Sequence, residues 1–467
     1  MEKTQISKND VIAIGNQKSV RLFALMLASV QTGIIYTNID SSAPAIRTIK
    51  MLEKANPKIF FTDEINSTTE EIKKQFTVIH IQSISFDSLK ISNHSTSSLI
   101  GSDPVYIMFT SGSTGFPKGA VMSQHNILNL INWAQEQYNF NSDEIFTGLN
   151  PIYFDNAVFD FYASLFNGLS LAIFKQDELK NVHEIIPKVE KMNCTSWFSV
   201  PSLLVFLLTM RSISKDSLPK LKRFIFGGEG FPKAKLKSLY DLVHPQIELH
   251  NVYGPTECTC ICSSWKISDS DFENMNELPT LGFLAPNFSY VLKSRENNSL
   301  FFPSEYSEYP QKGELLLYGP NVGLGYFNDF ERSRTSFPEI EHNGLFLRMY
   351  TTGDFVEVDN EGKLHFKGRV DNQIKYLGYR IEPEEIEAAF QSLEEVCEVC
   401  VVLLSEPSGI QKIVAFVSVH NKSSITELKS LVQERLPVYM IPEKIIVLDQ
   451  LPKNNNGKID RKALQNE

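Results

Sequence analysis

From residue 105 onward the chain alternates short β-rich runs with amphipathic stretches of helical period, and this alternation restricts the fold more than any other feature. Residues 105–110, 146–149, 171–174, 195–199, 224–226 and 247–252 read as strands. Residues 123–138, 157–166, 183–192 and 233–243 read as helices. Strands that alternate with helices pair in parallel, because each helix crosses over a face of the sheet and buries it. The expected class is α/β, with a large N-terminal domain of mostly parallel sheets flanked by helices.

The pattern changes after Pro279. Short runs at 290–293, 314–318, 355–358 and 364–366, punctuated by Gly, Pro and Asn, predict a small antiparallel β subdomain. It changes again after Asp371, where a helix at 383–393 is followed by strands at 399–404 and 413–419 and a helix at 425–435. This predicts a compact α+β unit, so the expected domains are 1–370 and 371–467, joined by a short hinge. With 467 residues the chain exceeds what one core fills.

The apolar run 22–36 is broken by Gln31 and Thr32, too short and too polar for a bilayer span, and reads as a core helix and a strand. Residues 1–10 are polar and lack the apolar region of a signal peptide, so a soluble, cytoplasmic protein with no membrane partner is expected. A net charge of −10 argues against a nucleic-acid partner, which needs a basic surface. Cys258, Cys260 and Cys262 alternate, which predicts one face of a strand, and Cys397 and Cys400 form a C-x-x-C. No ordered His partners accompany either group, so small apolar residues in a reduced core are expected instead of zinc ligands.

The sharpest motif is the run from Thr110 to Gly119, TSGSTGFPKG, which follows a predicted strand. Its glycines let backbone N–H groups turn toward an anion, its hydroxyls add donors and Lys118 adds charge. The spacing differs from a Walker A loop. Further on, NVYGPTE at 251–257 ends a strand with a ring, a hydroxyl and a carboxylate, and YTTGD at 350–354 presents an acid on a tight turn. A charged, hinge-like stretch covers 368–382, and NGKIDR at 456–461 sets a lysine after an Asn-Gly turn.

These motifs, in this order, resemble the adenylate-forming enzymes: acyl-CoA synthetases, luciferase and the amino-acid adenylation domains of nonribosomal peptide synthetases. The likeness extends over 30–40, the Gly313-Glu-Leu and Gly323-Leu-Gly-Tyr326 segments and 436–442, and so over nearly the whole chain. It implies ATP and Mg²⁺ as cofactors. By the resemblance Thr110, Ser111, Gly112, Ser113, Thr114 and Lys118 would hold the phosphates. Tyr253 would lie at adenine beside Gly227, Gly228 and Glu229, with Asn251, Gly254 and Thr256 around the nucleotide. Glu257 would hold Mg²⁺, and Asp354 the ribose hydroxyls with Arg369 nearby. Lys458 would bridge substrate carboxylate and α-phosphate, with Lys118 and Glu257 as the other catalytic groups. Asp371 would sit at the hinge of a mobile C-terminal domain.

The resemblance also points to the substrate. In amino-acid-activating members an aspartate at the position of Asp155 meets the α-ammonium, a charge-assisted pair that a fatty-acid site would not use. The alternative is that Asp155 only caps the following helix. The implied pocket comprises Asn156, Phe159, Ser199, Ile225, Gly227, Val252, Cys260 and Ile261, mostly apolar and without a second charge. The chain ends soon after Arg461, so a stand-alone ligase is expected that loads the phosphopantetheine thiol of a separate carrier protein, as D-alanine–carrier ligases do. Coenzyme A as acceptor, with a small or aryl acid as substrate, is the alternative; a shortened ATP-binding remnant is another. Two departures stand out. A strand and helix that usually precede Asp10 are missing, which predicts uncovered apolar surface. Thr351 replaces a basic residue that usually precedes the T-G-D segment, which predicts weaker AMP contacts.

Overall fold

The computed structural model describes residues 6–84, 98–112, 115–303, 309–405, 411–420, 425–454 and 457–465. Two sheets dominate the first two thirds of the chain. One runs, edge to edge, Gly325–Tyr326, Lys118–Ser123, Pro104–Thr110, Ile35–Ile39, Val11–Gly15, Ile59–Phe61 and Val78–Ile79. The other runs Ser263–Lys266, Glu248–Tyr253, Arg223–Gly227, Ser196–Ser199, Ile145–Gly148 and Ser170–Ile173. Pairing inside both is parallel, with antiparallel strands at one end of each. The predicted α/β architecture is therefore present.

Helices Gln124–Tyr138 and Asn156–Leu165 lie in the core shared by both sheets. Ile127, Leu130, Phe159 and Tyr162 pack there with Tyr36 and Met108 of one sheet and Phe198 and Ile225 of the other. Being apolar on most sides, Asn156–Leu165 has no face to give to water, and eight of its residues are buried. Gln124–Tyr138 starts where Ser123 accepts from the Asn126 N–H and stops at Asn139 in the left-handed region. Near the N-terminus, helix Val20–Thr32 and strand Ile35–Ile39 match the expected helix and strand. The outer faces are covered by separate helices, Ala45–Ala55 on the first sheet and Val182–Lys191 and Lys233–Val243 on the second.

A third, antiparallel sheet carries Ser289–Lys293, Gln311–Tyr318, Leu345–Val358 and Leu364–Arg369, as the turn-rich sequence predicts. The C-terminal unit has a two-stranded hairpin, Ile374–Tyr376 with Tyr379–Ile381, and a three-stranded sheet, Val396–Ser405, Gln411–Val419 and Lys444–Val447, backed by helices Pro383–Gln391 and Ile425–Gln433.

Two local expectations are corrected. The C-x-C-x-C run is not a strand face: Thr259 (φ 62°) and Cys260 (φ 72°) are left-handed, and the chain doubles back so that the Cys262 N–H donates to Tyr253 O at 2.7 Å. A strand cannot hold two successive left-handed residues, although all three cysteines are buried. Likewise Tyr350–Asp354 is no tight turn. It lies inside the long strand Leu345–Val358, where register shifts on both neighbours mark a bulge and Gly353 (φ 73°) supplies the extra residue. A Cβ on Gly353 would meet Arg369 Nη2 at 2.4 Å, so the bulge lets a guanidinium lie against bare backbone.

Candidate active site

The glycine-rich loop joins two antiparallel strands, with Thr110 opposite Lys118. A Cβ on Gly112 would fall 1.9 Å from Phe116 O, so this close reversal admits only glycine. The Thr110 hydroxyl is buried and lacks a partner, a donor that a bound anion would satisfy. Ser111 Oγ donates to Arg380 O at 2.6 Å. Ser113 and Thr114 lie outside the described residues.

Glu257 sits below this loop on a short turn and is fully buried. Tyr326 donates to its Oε1 at 2.7 Å and Arg380 to its Oε2 at 2.5 Å, with Lys118 Nζ 3.6 Å from Oε1. Burial alone would push this carboxyl up; Arg380 and Lys118, helped by the tyrosine, outweigh it and hold Glu257 at about 2. Lys118 meets the converse penalty. Burial first, then the Arg380 charge, pull it down to about 8, against the raising influence of Glu257 and Glu382.

Across the cleft, Asp354 accepts from Tyr253 Oη at 2.6 Å and from Arg369 Nη1 at 2.6 Å. Burial opposes its charge, yet Lys375 and Arg369 hold it below the usual carboxylate range. Arg369 also pairs with Asp371 at 2.6 Å, so the residue at the expected domain boundary is linked to the acid through the shared guanidinium. Gly228, Glu229, Asn251 and Tyr253 line one cleft with Lys375. Asp155, Asn156, Val252, Gly254, Thr256, Cys260, Ile261, Asp354 and Arg369 line the adjoining one.

Asp155 stands at the start of helix Asn156–Leu165 without capping it through its side chain. It accepts from Thr256 Oγ1 at 2.6 Å instead. Burial pushes its carboxyl up, and the Glu257 charge adds to this against the Thr256 hydrogen bond. Among the other expected pocket residues, Phe159, Ser199 and Ile225 are buried and, with Gly227, fall outside the lining of this cleft; the Ser199 hydroxyl accepts from Trp197 Nε1 at 2.8 Å. Phe198 lines the cleft in their stead.

Lys458 is not brought to this cleft. It is exposed, on a turn closed by its N–H donating to Asn454 Oδ1 at 3.1 Å. The C-terminal unit faces the cleft with its hairpin, contributing Gln373, Lys375, Gly378 and Arg380 to the lining. Gly378 N–H donates to Glu229 Oε2 at 2.7 Å, and Tyr379 stacks on Tyr439 at 3.8 Å with Phe154 edge-on at 4.9 Å. The sequence marks 368–382 as charged and hinge-like but singles out only Arg369 and Asp371 within it. The Gly378 turn followed by Arg380 is the signal that could have found the rest; which charge meets which partner depends on the docking of two units remote in sequence.

A family model described as AMP-binding enzyme matches residues 1–327, and one described as AMP-binding enzyme C-terminal domain matches 385–458. The chain belongs to the AMP-binding enzyme family. A D-alanine–D-alanyl carrier protein ligase of Listeria monocytogenes is 30% identical over 471 residues, covering 98% of this chain and 88% of the relative. A ligase of the same description from Bacillus thuringiensis is 29% identical, covering 94% and 86%. Among solved structures, the Vibrio cholerae adenylation domain AlmE in complex with glycyl-adenosine-5′-phosphate superimposes with a TM-score of 0.82 at 23% identity, covering 98% of this chain and 88% of that one. An o-succinylbenzoate CoA synthetase from Bacillus subtilis gives 0.83 at 21% identity, covering 99% and 89%. The two structures share this fold.

Proposed function

We propose that the protein activates an amino acid with ATP as its aminoacyl-adenylate, releasing pyrophosphate, and passes the aminoacyl group to the phosphopantetheine thiol of a separate carrier protein. The observation that carries the reading is Asp155: a half-buried carboxylate, hydrogen-bonded to the neutral Thr256 hydroxyl, in the same cleft as Asp354 and Arg369. Its hydrogen-bond partner is neutral, and an α-ammonium would give it a charge-assisted one. The curated relatives, named as D-alanine ligases, support an amino-acid substrate of small side chain.

In this reading the substrate carboxylate attacks the α-phosphorus and the bond to pyrophosphate breaks; the thiol then attacks the acyl carbon and AMP leaves. Two anions must meet in the first step, so cationic groups set its rate. Thr110, Ser111 and Lys118, with Gly112 and the loop residues Ser113 and Thr114, hold the phosphates. Asp354 takes the ribose hydroxyls, held in place by Arg369 and Tyr253. Gly228, Glu229, Asn251, Gly254 and Thr256 frame the nucleotide. Asn156, Val252, Cys260 and Ile261 shape the side-chain pocket, with Phe159, Ser199, Ile225 and Gly227 behind it.

Glu257 fits a magnesium ion: it is a buried, ionised oxygen donor beside the phosphate loop. Such an ion would neutralise phosphate charge there. Both its oxygens are engaged in the present lobe arrangement, so Arg380 must withdraw first. Residues 1–370 and 371–467 are then two bodies hinged at Asp371, the smaller presenting Lys458 for adenylate formation and its hairpin for transfer. A cytoplasmic location belongs to the same reading, since ATP is its co-substrate; no described helix is long and apolar enough to cross a membrane.

The reading is tested by ATP–pyrophosphate exchange over a panel of amino acids and small carboxylic acids. Exchange is expected with a small uncharged amino acid; exchange only with acids lacking an α-ammonium removes the assignment. Loading of a phosphopantetheinylated carrier against coenzyme A then separates the two acceptors. A pH dependence also follows. Lys118 is charged below about 8 and neutral above it, so kcat/KM for ATP is expected to fall as pH rises through about 8. A profile flat from pH 7 to 9 would remove Lys118 from the phosphate site.

A further inference from the structure

The segment 149–155 joins strand Ile145–Gly148 to helix Asn156–Leu165 and delivers Asp155 to the cleft. Asp155 offers that helix no side-chain cap, so its first turn is not fixed locally. Three buried side chains that line a cavity behind the helix fasten the segment instead. Lys18, just after strand Val11–Gly15 of the other sheet, donates through Nζ to Gly148 O at 2.6 Å. Asn38 Nδ2 donates to Ile152 O at 3.0 Å. Asp160 Oδ2 accepts from Asn150 Nδ2 at 2.9 Å, and the same amide reaches Phe198 O at 3.1 Å. Phe198 lines the cleft and meets Phe159 edge-on at 5.2 Å.

Stability alone does not account for the two charged members of this set. Burial pulls Lys18 down and pushes Asp160 up, each opposed in part by the charge of the other. Asp160 Oδ1 is buried without a hydrogen-bond partner, which costs stability. Apolar side chains often replace such pairs at no loss of stability. What the carboxylate supplies is direction: a bond to a charged oxygen fixes geometry that apolar contacts leave free to slip. We propose that Asp160 and Lys18 are positioning residues for the amino-acid substrate, fastening the 149–155 segment so that Asp155 is held at the α-ammonium. The inference rests on the reading of Asp155 given above. Lys18 and Asp160 line the cavity behind the helix and not the cleft, so both act through Asp155.

The test is ATP–pyrophosphate exchange by the full chain, with the amino acid that gives the strongest exchange in the panel above. Asp160→Leu is expected to raise KM for the amino acid about tenfold, the scale of a small misplacement of a substrate-binding group, with KM for ATP unchanged. Asp160→Asn keeps an oxygen for Asn150 Nδ2 and is expected to recover most of the loss. Adding Lys18→Met to Asp160→Leu removes the cation left buried without its counter-charge. The melting temperature is then expected to return to the parent value while the raised KM persists. An unchanged KM in Asp160→Leu, or one that recovers with the melting temperature, overturns the proposal, as does a KM for ATP that rises in step. So does an undiminished Asp160→Leu effect in the Asp155→Asn background, where the positioned charge is already gone. The reading of Asp155 fails separately, if Asp155→Asn alone leaves kcat/KM for the amino acid unaltered.

Discussion

Replacing Lys458 by alanine is expected to lower ATP–pyrophosphate exchange by about 10²–10³-fold, the usual cost of losing one preorganised charge at a developing anion. The size follows from the chemistry, in which a carboxylate and a triphosphate approach one another. ATP affinity is expected to change little, because Lys458 in this reading acts where carboxylate and α-phosphate meet in the transition state and not on bound ATP. Transfer from a preformed aminoacyl-adenylate is expected to survive, since the hairpin and not Lys458 faces the cleft in that step. Single-turnover transfer with chemically synthesised adenylate separates the two half-reactions. Equal losses in both would contradict the division of labour between the two faces of the C-terminal unit.

The second large effect is expected at Asp155. Asp155→Asn keeps the shape and the capacity to accept from Thr256 Oγ1, now 2.6 Å from the carboxylate. What it removes is the charge. Truncating one partner of a buried ion pair costs about 3–5 kcal/mol, so kcat/KM for the amino acid is expected to fall on the order of 10²–10³-fold. Because burial and the Glu257 charge push the Asp155 carboxyl above its ordinary range, the parent enzyme is expected to lose kcat/KM for the amino acid as pH falls, beginning above the range of a solvated aspartate. Asp155→Asn is expected to abolish that acid limb. Persistence of the limb in the variant would assign it elsewhere; an unchanged kcat/KM would remove Asp155 from substrate recognition.

The inter-lobe contacts explain why one face of the C-terminal unit is seated here. Arg47 pairs with Glu385, both nearly buried, and the Tyr379–Tyr439 stack closes against Phe154. Phe154 precedes Asp155, Arg380 reaches Glu257, and Thr256, which holds Asp155, precedes Glu257. The Asp155 carboxylate and the docked lobe thus contact adjacent residues on two short segments, Phe154–Asp155 and Thr256–Glu257.

Some features were fixed by local rules and could be read from residues alone. Alternating strand and helix patterns over 145–252 forced a parallel sheet, because a crossover helix admits only that pairing, whereas Pro104–Thr110 lies in the other sheet and pairs antiparallel with Lys118–Ser123. The glycine-rich loop announced itself through residue types that serve an anion. Asp155, Glu257 and Asp354 were singled out not by local rules but by the resemblance of the motifs that contain them to those of adenylate-forming enzymes. Local rules failed where long-range partners decide the backbone. The bulge at Gly353 exists because Arg369 must lie against it, and the left-handed pair Thr259–Cys260 because the chain must return to Tyr253. Only the tertiary structure decided that the hairpin with Arg380, and not the turn with Lys458, is turned toward the cleft. Docking is a small difference among ion pairs, stacking and desolvation between surfaces distant in sequence, and no local pattern encodes that difference.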